Sequence, residues 1–381
     1  MAATELYIGL MSGTSVDSVD VALVRCREQG CELLETLEHP IGPELRRRIA
    51  AISLPGDDEI ERMGRLDRDI GTLFAGAVQA LLAITDHRAE DIAAIGSHGQ
   101  TIRHRPPSGD NTTPFTLQIG DPNTIAEMTG ITTIADFRRR DIAAGGEGAP
   151  LAPGFHAAAF AGEGRNRAIV NIGGIANITL LSGTLLVSGF DTGPGNTLLD
   201  HWIRRHQAQG YDRDGQWAAE GRVCTALLEQ LHDHPYLARR GPRSTGKEAF
   251  NLDWLDLSLR SLPALEPRDV QATLAEFTAE TIAIAVRAAE VNIDEVFVCG
   301  GGARNTDLMR RLYRLLAPRR LDTTTALGID PEWVEAAAFA WLAWRTMAGL
   351  AGNAAAVTGA AGARVLGGIY PAGEVRPVPV R

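Results

Sequence analysis

Residues 6–24 read LYIGLMSGTSVDSVDVALV, in which two apolar, β-branched runs flank a turn of small residues. This pattern predicts a β-strand, a tight glycine–serine loop and a second β-strand. A similar order returns at residues 168–181, AIVNIGGIANITLL, where glycines again separate two apolar runs. The repetition is weak, but it predicts two halves that are built on the same hairpin.

Strands alternate with helices around both hairpins. Expected strands cover residues 93–98, 131–137 and 295–302, and expected helices lie near residues 58–85, 122–129, 196–209, 216–232, 269–291, 305–316 and 331–350. Such alternation predicts an α/β fold with mainly parallel sheets, in which ligands bind outside the strand ends, in a cleft between the halves. We place the boundary between the halves near residue 150.

The chain of 381 residues carries 47 Asp and Glu against 37 Lys and Arg, a formal net charge of −10 at pH 7. This acidic balance opposes binding to phosphate backbones and anionic lipids, so we expect neither a nucleic-acid nor a membrane partner. The N-terminal residues MAATELYIGL do not form a positively charged leader, which favours a cytoplasmic protein. The cysteines lack the spacing of zinc ligands, so no metal held by a set of protein ligands is expected; they are Cys26, Cys31, Cys224 and Cys299.

The loop MSGTSVDSVD, residues 11–20, places backbone N–H groups and the hydroxyls of Ser12, Thr14 and Ser15 at a hairpin tip. Such a loop suits phosphate oxygens, although it matches neither the Walker A nor the GxGxxG pattern. Asp17 and Asp20 beside a phosphate would need a cation, which points to Mg²⁺. The competing interpretation is an ordinary polar hairpin turn.

Two further small-residue turns follow apolar strands. In GFDTGPGN, Asp191 can act as a general base or hold the turn through its own carboxylate, and both roles can coexist. In VFVCGGGARN, Gly300–Gly302 lead into a helix that starts near Asn305, a place where a flat ring or a phosphate can approach the backbone closely.

Polar side chains cluster in three other segments. GSHGQTIRHRP, residues 96–106, offers a polar substrate wall, with His98 as either a ligand contact or a hydrogen-bonded residue at a strand end. In DFRRRDIAAGGEGAPL, residues 136–151, Asp136 and Asp141 are expected to hold one or two of the arginines, which otherwise form a solvated face. Glu335 serves either the dipole of its helix or a ligand.

The segments GLMSGTSVDSVD, LQIGDPNTIAEMTG, NIGGIANIT, GFDTGPGNTLLD, STGKEAFNLDWL, VCGGGARN and DPEWVEAAAFAWLA, in this order, resemble the anhydro-N-acetylmuramic acid kinases of bacterial peptidoglycan recycling. The resemblance spans nearly the whole chain. It implies the superfamily of actin, sugar kinases and heat-shock ATPases, with two ribonuclease-H-like domains around a central cleft. Residues 1–150 would form the first lobe, with residues 345–381 as a candidate addition, and residues 151–344 would form the second.

The resemblance also implies an activity: ATP-dependent opening of the 1,6-anhydro ring of anhydro-N-acetylmuramic acid by water, with phosphorylation of O6 to give N-acetylmuramic acid 6-phosphate. It implies ATP and Mg²⁺ as cofactors, a cytoplasmic location and a homodimer. The competing function is a sugar- or nucleotide-binding regulator of the same fold with weakened catalysis. A third possibility is a glycosidase that needs no nucleotide.

The resemblance assigns residues to each role. Asp191 would be the catalytic carboxylate. The nucleotide would contact Gly13, Thr14, Ser15, Val16, Asp17, Ser18, Val19, Asp20, Gly300, Gly301, Gly302 and Asn305. The sugar would lie near Asp136, Arg138, Arg140 and Glu335.

One residue departs from the family pattern. Ser18 stands where the family usually has glycine. If that position needs a positive φ, serine costs about 1 kcal/mol of strain, which would weaken ATP binding and favour the regulator.

Overall fold

The computed structural model describes residues 5–13, 16–27, 30–107, 113–239, 245–246 and 249–373. Its strands are β1 (Glu5–Met11), β2 (Ser18–Arg27), β3 (Gly30–Pro40), β4 (Ile92–Ser97), β5 (Gln100–Arg105), β6 (Phe115–Ile119), β7 (Thr133–Ala135), β8 (Asn166–Ile172), β9 (Ile175–Ser182), β10 (Leu185–Pro194), β11 (Glu295–Cys299), β12 (Arg320–Thr323) and β13 (Gly368–Tyr370). Its helices are α1 (Pro43–Ile52), α2 (Glu59–Ala83), α3 (Pro122–Thr129), α4 (Arg139–Ala143), α5 (Ala152–Phe160), α6 (Thr197–Gln207), α7 (Gln216–Glu220), α8 (Thr225–His232), α9 (Leu252–Leu259), α10 (Pro267–Arg287), α11 (Thr306–Leu316), α12 (Val334–Met347) and α13 (Ala355–Thr358).

These elements form two compact units. Unit 1 holds the described residues up to Ala158 and those from Glu335 onward, and unit 2 holds Ala159–Val334. Among the helices that the structure describes, none combines the length and the apolar character needed to cross a lipid bilayer.

Unit 1 contains a sheet in the order β13-β7-β4-β1-β2-β3. The predicted hairpin is confirmed, since β1 and β2 pair antiparallel from Glu5 with Cys26 to Met11 with Asp20. Alternate residues of both strands, among them Ile8 and Val21, enter one core with α2 residues such as Phe74. Strands β4 and β7 continue the sheet in parallel with β1. The period of two in the hairpin therefore decides which side chains enter this core.

The opposite face of this sheet packs against α12. A Cβ on Gly9 would lie 1.8 Å from the carbonyl oxygen of Ala336, and one on Gly96 would lie 2.0 Å from that of Phe339. Only glycine permits strand and helix backbones to approach this closely. Helix α12 consequently belongs to unit 1 from Glu335 onward, earlier in the chain than the expected limit of 344.

Unit 2 contains a five-stranded sheet in the order β10-β9-β8-β11-β12. Strand β8 pairs antiparallel with β9 and parallel with β11, β9 pairs antiparallel with β10, and β11 pairs parallel with β12. The order β3-β2-β1-β4-β7 in unit 1 has the same directions. Each unit thus has a ribonuclease-H-like sheet with its second strand reversed, and the predicted α/β fold class is confirmed.

Two predicted elements differ from the structure. The helix expected at residues 216–232 is divided into α7 and α8, because Gly221 has an extended backbone and a Cβ there would lie 2.1 Å from the carbonyl oxygen of Arg268. The strand expected at residues 295–302 ends at Cys299, because Gly300 turns the chain with a φ of 76°.

Candidate active site

In unit 1, the carboxyl ends of the parallel strands β1, β4 and β7 meet at one edge of the sheet, where ligands of α/β proteins usually bind. Strand β1 leads to Ser12, whose hydroxyl donates a 2.7 Å hydrogen bond to Oε1 of Gln100. The backbone N–H of His98, after β4, donates to the carbonyl of Leu10 at 3.0 Å. These contacts join the predicted phosphate loop to the predicted substrate wall.

The phosphate loop is open at its start. Apart from its chain neighbours, no described residue has a heavy atom within 4 Å of the position that a Cβ on Gly13 would take. Thr14 and Ser15 lie outside the described residues. Val16 has a φ of 57°, and its N–H donates to the carbonyl of Gly13 at 3.3 Å. Asp17 is exposed and forms a 2.7 Å ion pair with Arg46.

The condition for strain at Ser18 is not met, because this residue has no positive φ. Ser18 begins β2 in an extended conformation, pairs with Pro40, and its hydroxyl donates to Oδ1 of Asp20 at 3.1 Å. The left-handed conformation in this loop falls on Val16 instead. Val19 is fully buried, so it presents no exposed surface to a ligand in this structure.

The partly exposed Arg138 and the buried His98 form a pair at the same edge of unit 1. The Nε and Nη2 groups of Arg138 donate to Nε2 of His98 at 3.2 and 2.9 Å, and Nη1 donates to the carbonyl of Gly148 at 2.9 Å. Burial and the charge of Arg138 hold the pKa of His98 well below its usual 6.5. The imidazole is therefore neutral, and its Nε2 atom accepts the hydrogen bonds from Arg138.

The guanidinium of Arg138 stays charged. Burial lowers the pKa of Arg138 to about 10, and the negative charge of Glu335 opposes this shift. The ring of His98 lies 4.8 Å from that of Phe339, one turn after Glu335 on α12. The structure therefore brings His98, Arg138 and Glu335 together around one cation.

The other two residues assigned to the sugar have different surroundings. Asp136 has a left-handed φ of 62° and forms a 2.7 Å ion pair with Arg139, which raises the pKa of that guanidinium. Arg140 is exposed, its backbone carbonyl accepts a 3.2 Å hydrogen bond from the N–H of Ala144, and within the described part of the chain its guanidinium has no ion-pair partner. The arginine that Asp136 holds is thus its neighbour Arg139.

Asp141 has a structural role that the sequence did not reveal. Its buried carboxylate accepts 2.8 Å hydrogen bonds from the N–H of Gly148, Nδ2 of Asn353 and the hydroxyl of Thr358. These partners replace the arginine that was expected to pair with it. The carboxylate instead ties the glycine loop after α4 to the C-terminal segment.

In unit 2, Asp191 lies near the carboxyl end of β10, and it is 7% exposed. Its Oδ2 atom accepts a 2.9 Å hydrogen bond from the backbone N–H of Thr245. Its backbone carbonyl accepts a 2.7 Å hydrogen bond from the phenol of Tyr236. A register irregularity between Asp191 and Gly193 interrupts the ladder here, and such bulges commonly re-aim a side chain at a functional site.

A row of polar residues crosses the sheet beside this carboxylate. Asn171 of β8 pairs with Asn177 of β9, which pairs with Asp191. Residues directly opposite each other present their side chains on the same face. Sequence reasoning missed both asparagines, although a polar residue at the end of each apolar run in NIGGIANIT was an available signal.

The glycines after β11 divide into two kinds. A Cβ on Gly300 would lie 2.3 Å from Oδ1 of Asn171, and one on Gly302 would lie 2.3 Å from Cγ2 of Ile172, so packing against β8 requires both. Gly301 is exposed, with no heavy atom within 4 Å of its Cβ position. Asn305 caps α11, because its Oδ1 atom accepts a 3.0 Å hydrogen bond from the N–H of Leu308. Only Gly301 leaves room for a ligand against the backbone, beside the positive end of α11.

The family model described as anhydro-N-acetylmuramic acid kinase matches residues 5–372 of the chain. The chain is 53% identical over 367 residues to the anhydro-N-acetylmuramic acid kinase of Shewanella sp. (strain MR-4), covering 96% of this chain and 98% of the relative. It is 50% identical over 367 residues to that of Pseudomonas putida (strain KT2440), covering 96% and 99%. Among solved structures, component A of the (R)-2-hydroxyglutaryl-CoA dehydratase of Acidaminococcus fermentans aligns with a TM-score of 0.46 at 12% identity, over 91% of this chain and 100% of that one.

Proposed function

The chain belongs to the family of anhydro-N-acetylmuramic acid kinases, and on that premise we propose that it opens the 1,6-anhydro ring of anhydro-N-acetylmuramic acid with water and transfers the γ-phosphoryl group of ATP to O6. The product is N-acetylmuramic acid 6-phosphate, an intermediate of cell-wall recycling. The observation that carries this proposal is the buried carboxylate of Asp191, held by the N–H of Thr245 at the carboxyl edge of a sheet.

Asp191 is the general base in this proposal. Its carboxylate takes a proton from the water whose oxygen forms a bond to C1 of the sugar. The C1–O6 bond breaks, O6 forms a bond to the γ-phosphorus, and ADP leaves with the electrons of the broken P–O bond. The negative charge that develops on O6 is thereby passed to ADP, so each bond change relieves the charge created by the other.

The nucleotide is proposed to contact two glycine turns. Gly301 supports this role because its backbone is exposed beside the positive end of α11, which attracts anions. Gly13 supports it because the start of the loop in unit 1 is open. Gly300, Gly302 and Asn305 would act indirectly, because packing and capping already account for them.

Mg²⁺ is proposed to bind together with the nucleotide and to neutralise phosphate charge. Among the described residues, no group of three or more His, Cys, Asp or Glu side chains is arranged to hold a metal ion. Mg²⁺ commonly uses one or two carboxylates together with substrate phosphates. Asp17 and Asp20 are the carboxylates of the phosphate loop that fit this role, as the exposed ion pair of Asp17 is readily exchanged.

The sugar is proposed to bind near Arg138, Glu335, Asp136 and Arg140. The charged guanidinium of Arg138 suits an anionic group of the substrate, and the neutral His98 fixes its orientation. Arg140 adds an exposed cation from the same segment. A cytoplasmic location and a homodimer belong to the same proposal and rest on the family resemblance.

The test compares ADP release by the purified protein with ATP and Mg²⁺ in the presence and absence of the anhydrosugar. We expect sugar-dependent ADP release that is abolished in Asp191→Asn, while calorimetry shows nearly unchanged ATP binding. A normal rate in Asp191→Asn would disprove the assignment of the base. Tight sugar binding without turnover would instead favour the regulator. Strain at Ser18 no longer supports that alternative, because Ser18 has an extended conformation.

A further inference from the structure

Tyr236 contacts Asp191 directly through a buried hydrogen bond. Its phenol donates to the backbone carbonyl of Asp191 at 2.7 Å, and the tyrosine is only 4% exposed. The bond meets β10 where its register shifts, between Asp191 and Gly193. Gly193 has a φ of 152°, so β10 leaves regular geometry just after the carboxylate. A backbone interrupted in this way needs an external partner to fix the direction of its side chain.

The ring of Tyr236 is itself rigidly held. It lies in the short 3₁₀ helix Pro235–Ala238, whose preceding residue His234 accepts a 3.1 Å hydrogen bond from the N–H of Tyr236. Phe250 packs edge-on against Tyr236 at 5.8 Å and stacks on His234 at 4.4 Å. The phenol therefore has little freedom to move away from Asp191.

The same segment returns to the carboxylate. Thr245 donates its N–H to Oδ2 of Asp191 at 2.9 Å, and the next residue, Gly246, accepts hydrogen bonds from the N–H groups of Ala249 and Phe250 at 3.1 and 3.4 Å. Phe250 connects this turn to the ring of Tyr236. The backbone carbonyl of Asp191 is consequently held by Tyr236 and its carboxylate by Thr245.

We infer that Tyr236 is a positioning residue that aims the carboxylate of Asp191 at the attacking water. The inference rests on the proposed function, because it gives Asp191 the role of general base. Tyr236 itself takes no proton. Its hydroxyl fixes the backbone of Asp191, and Thr245 fixes the carboxylate.

The test is Tyr236→Phe, which removes the hydroxyl and keeps the packed ring. Since small misplacement of a reacting group lowers rates strongly, we expect kcat to fall about tenfold to a hundredfold. The KM values for ATP and the sugar, and the melting temperature, should change little. The solvent deuterium isotope effect on kcat should rise, because proton transfer from water to Asp191 becomes slower relative to the other steps.

Tyr7→Phe is the matched control. Tyr7 is fully buried in unit 1 and donates its phenol to Glu5, so the control removes the same atom without touching Asp191. We expect wild-type kcat and isotope effect in this variant. Equal losses in both variants, or a lower kcat in Tyr236→Phe with an unchanged isotope effect, would show a merely structural role and overturn the inference.

Two outcomes separate this inference from the proposed function. If wild-type protein releases ADP in response to the sugar and Tyr236→Phe does so at an equal rate, the inference alone fails. If wild-type protein shows no sugar-dependent release of ADP, the proposed function is wrong, and the inference that rests on it is wrong as well.

Discussion

Gly300 and Gly301 are neighbours in the sequence but have different physical requirements. The left-handed φ of 76° and the contact with Asn171 confine residue 300 to glycine. Residue 301 has open space on the side where a Cβ would stand. At the scale of single residues, a glycine cluster thus combines a packing role with a surface that a ligand can approach.

We predict that Gly300→Ala lowers the free energy of unfolding by about 1–3 kcal/mol, because alanine is strained at positive φ and would clash with Asn171. Gly301→Ala should leave stability nearly unchanged while raising the KM for ATP. Thermal unfolding and steady-state kinetics check the pair. A stable Gly300→Ala protein, or a destabilised Gly301→Ala protein with normal KM, would contradict this division.

At the scale of elements, helix α12 links packing to the proposed sugar site. Its close contact with β1 and β4 depends on Gly9 and Gly96, and its first turn carries Glu335 beside Arg138. The helix supplies Phe339 against the ring of His98. Displacing α12 from the sheet would therefore disturb stability and the surroundings of Arg138 together.

Gly96→Ala tests this link. A Cβ at residue 96 would lie 2.0 Å from the carbonyl oxygen of Phe339, so we predict a loss of more than about 3 kcal/mol, or failure to fold. Gly76→Ala in α2 is the control, since its Cβ position is open and alanine favours a helix by about 0.5–1 kcal/mol. Denaturant unfolding measures both. Similar stabilities for the two variants would refute the close approach.

The contact between His98, which follows β4, and Arg138, which precedes α4, also predicts a dependence on pH. His98 has a lowered pKa in the folded protein, so the unfolded chain binds more protons below pH 6.5, and stability must fall as the pH decreases from there. Burial lowers the pKa of His156 to about 3 and that of His104 to about 4, and both act in the same direction.

His98→Gln should remove the part of this loss of stability at low pH that is due to His98. We predict that its free energy of unfolding falls less steeply between pH 6.5 and 5 than that of the wild type, by up to about 1.4 kcal/mol per pH unit at the lower end of this range. Urea unfolding at a series of pH values measures the slope. Parallel slopes for the two proteins would mean that His98 is not neutral in the folded state.

Local signals predicted many elements correctly. Helix α3 is confirmed with the predicted limits, because Asp121 caps it, Pro122 opens it and Gly130 ends it with a φ of 69°. Strand β3 was not predicted, since most of its residues are half-buried and show no clean alternation. The antiparallel pair β5 and β6 was missed as well.

The candidate site was harder to predict than the fold. Asp191 was identified from a short motif and Arg138 from the family resemblance, but their partners Tyr236, Thr245 and His98 are distant in sequence. Such contacts depend on tertiary packing, which no local pattern encodes. The pairing of Asp136 with Arg139, and of Asp141 with the C-terminal segment, could not be predicted for the same reason.

At the scale of the whole molecule, the chain repeats one sheet topology in two units and places different chemistry at each carboxyl edge. Unit 1 carries the open loop at Gly13 and the cation Arg138, and unit 2 carries Asp191 and Gly301. The proposed reaction couples two changes on one substrate, the opening of the anhydro ring and the phosphorylation of O6.

Mass spectrometry of the sugar product tests this coupling most directly. We predict that wild-type protein with ATP, Mg²⁺ and anhydro-N-acetylmuramic acid forms a product that has gained both one water and one phosphoryl group, with one ADP released per sugar. A product that has gained water alone without any need for ATP, or ADP release that is independent of the sugar, would contradict it.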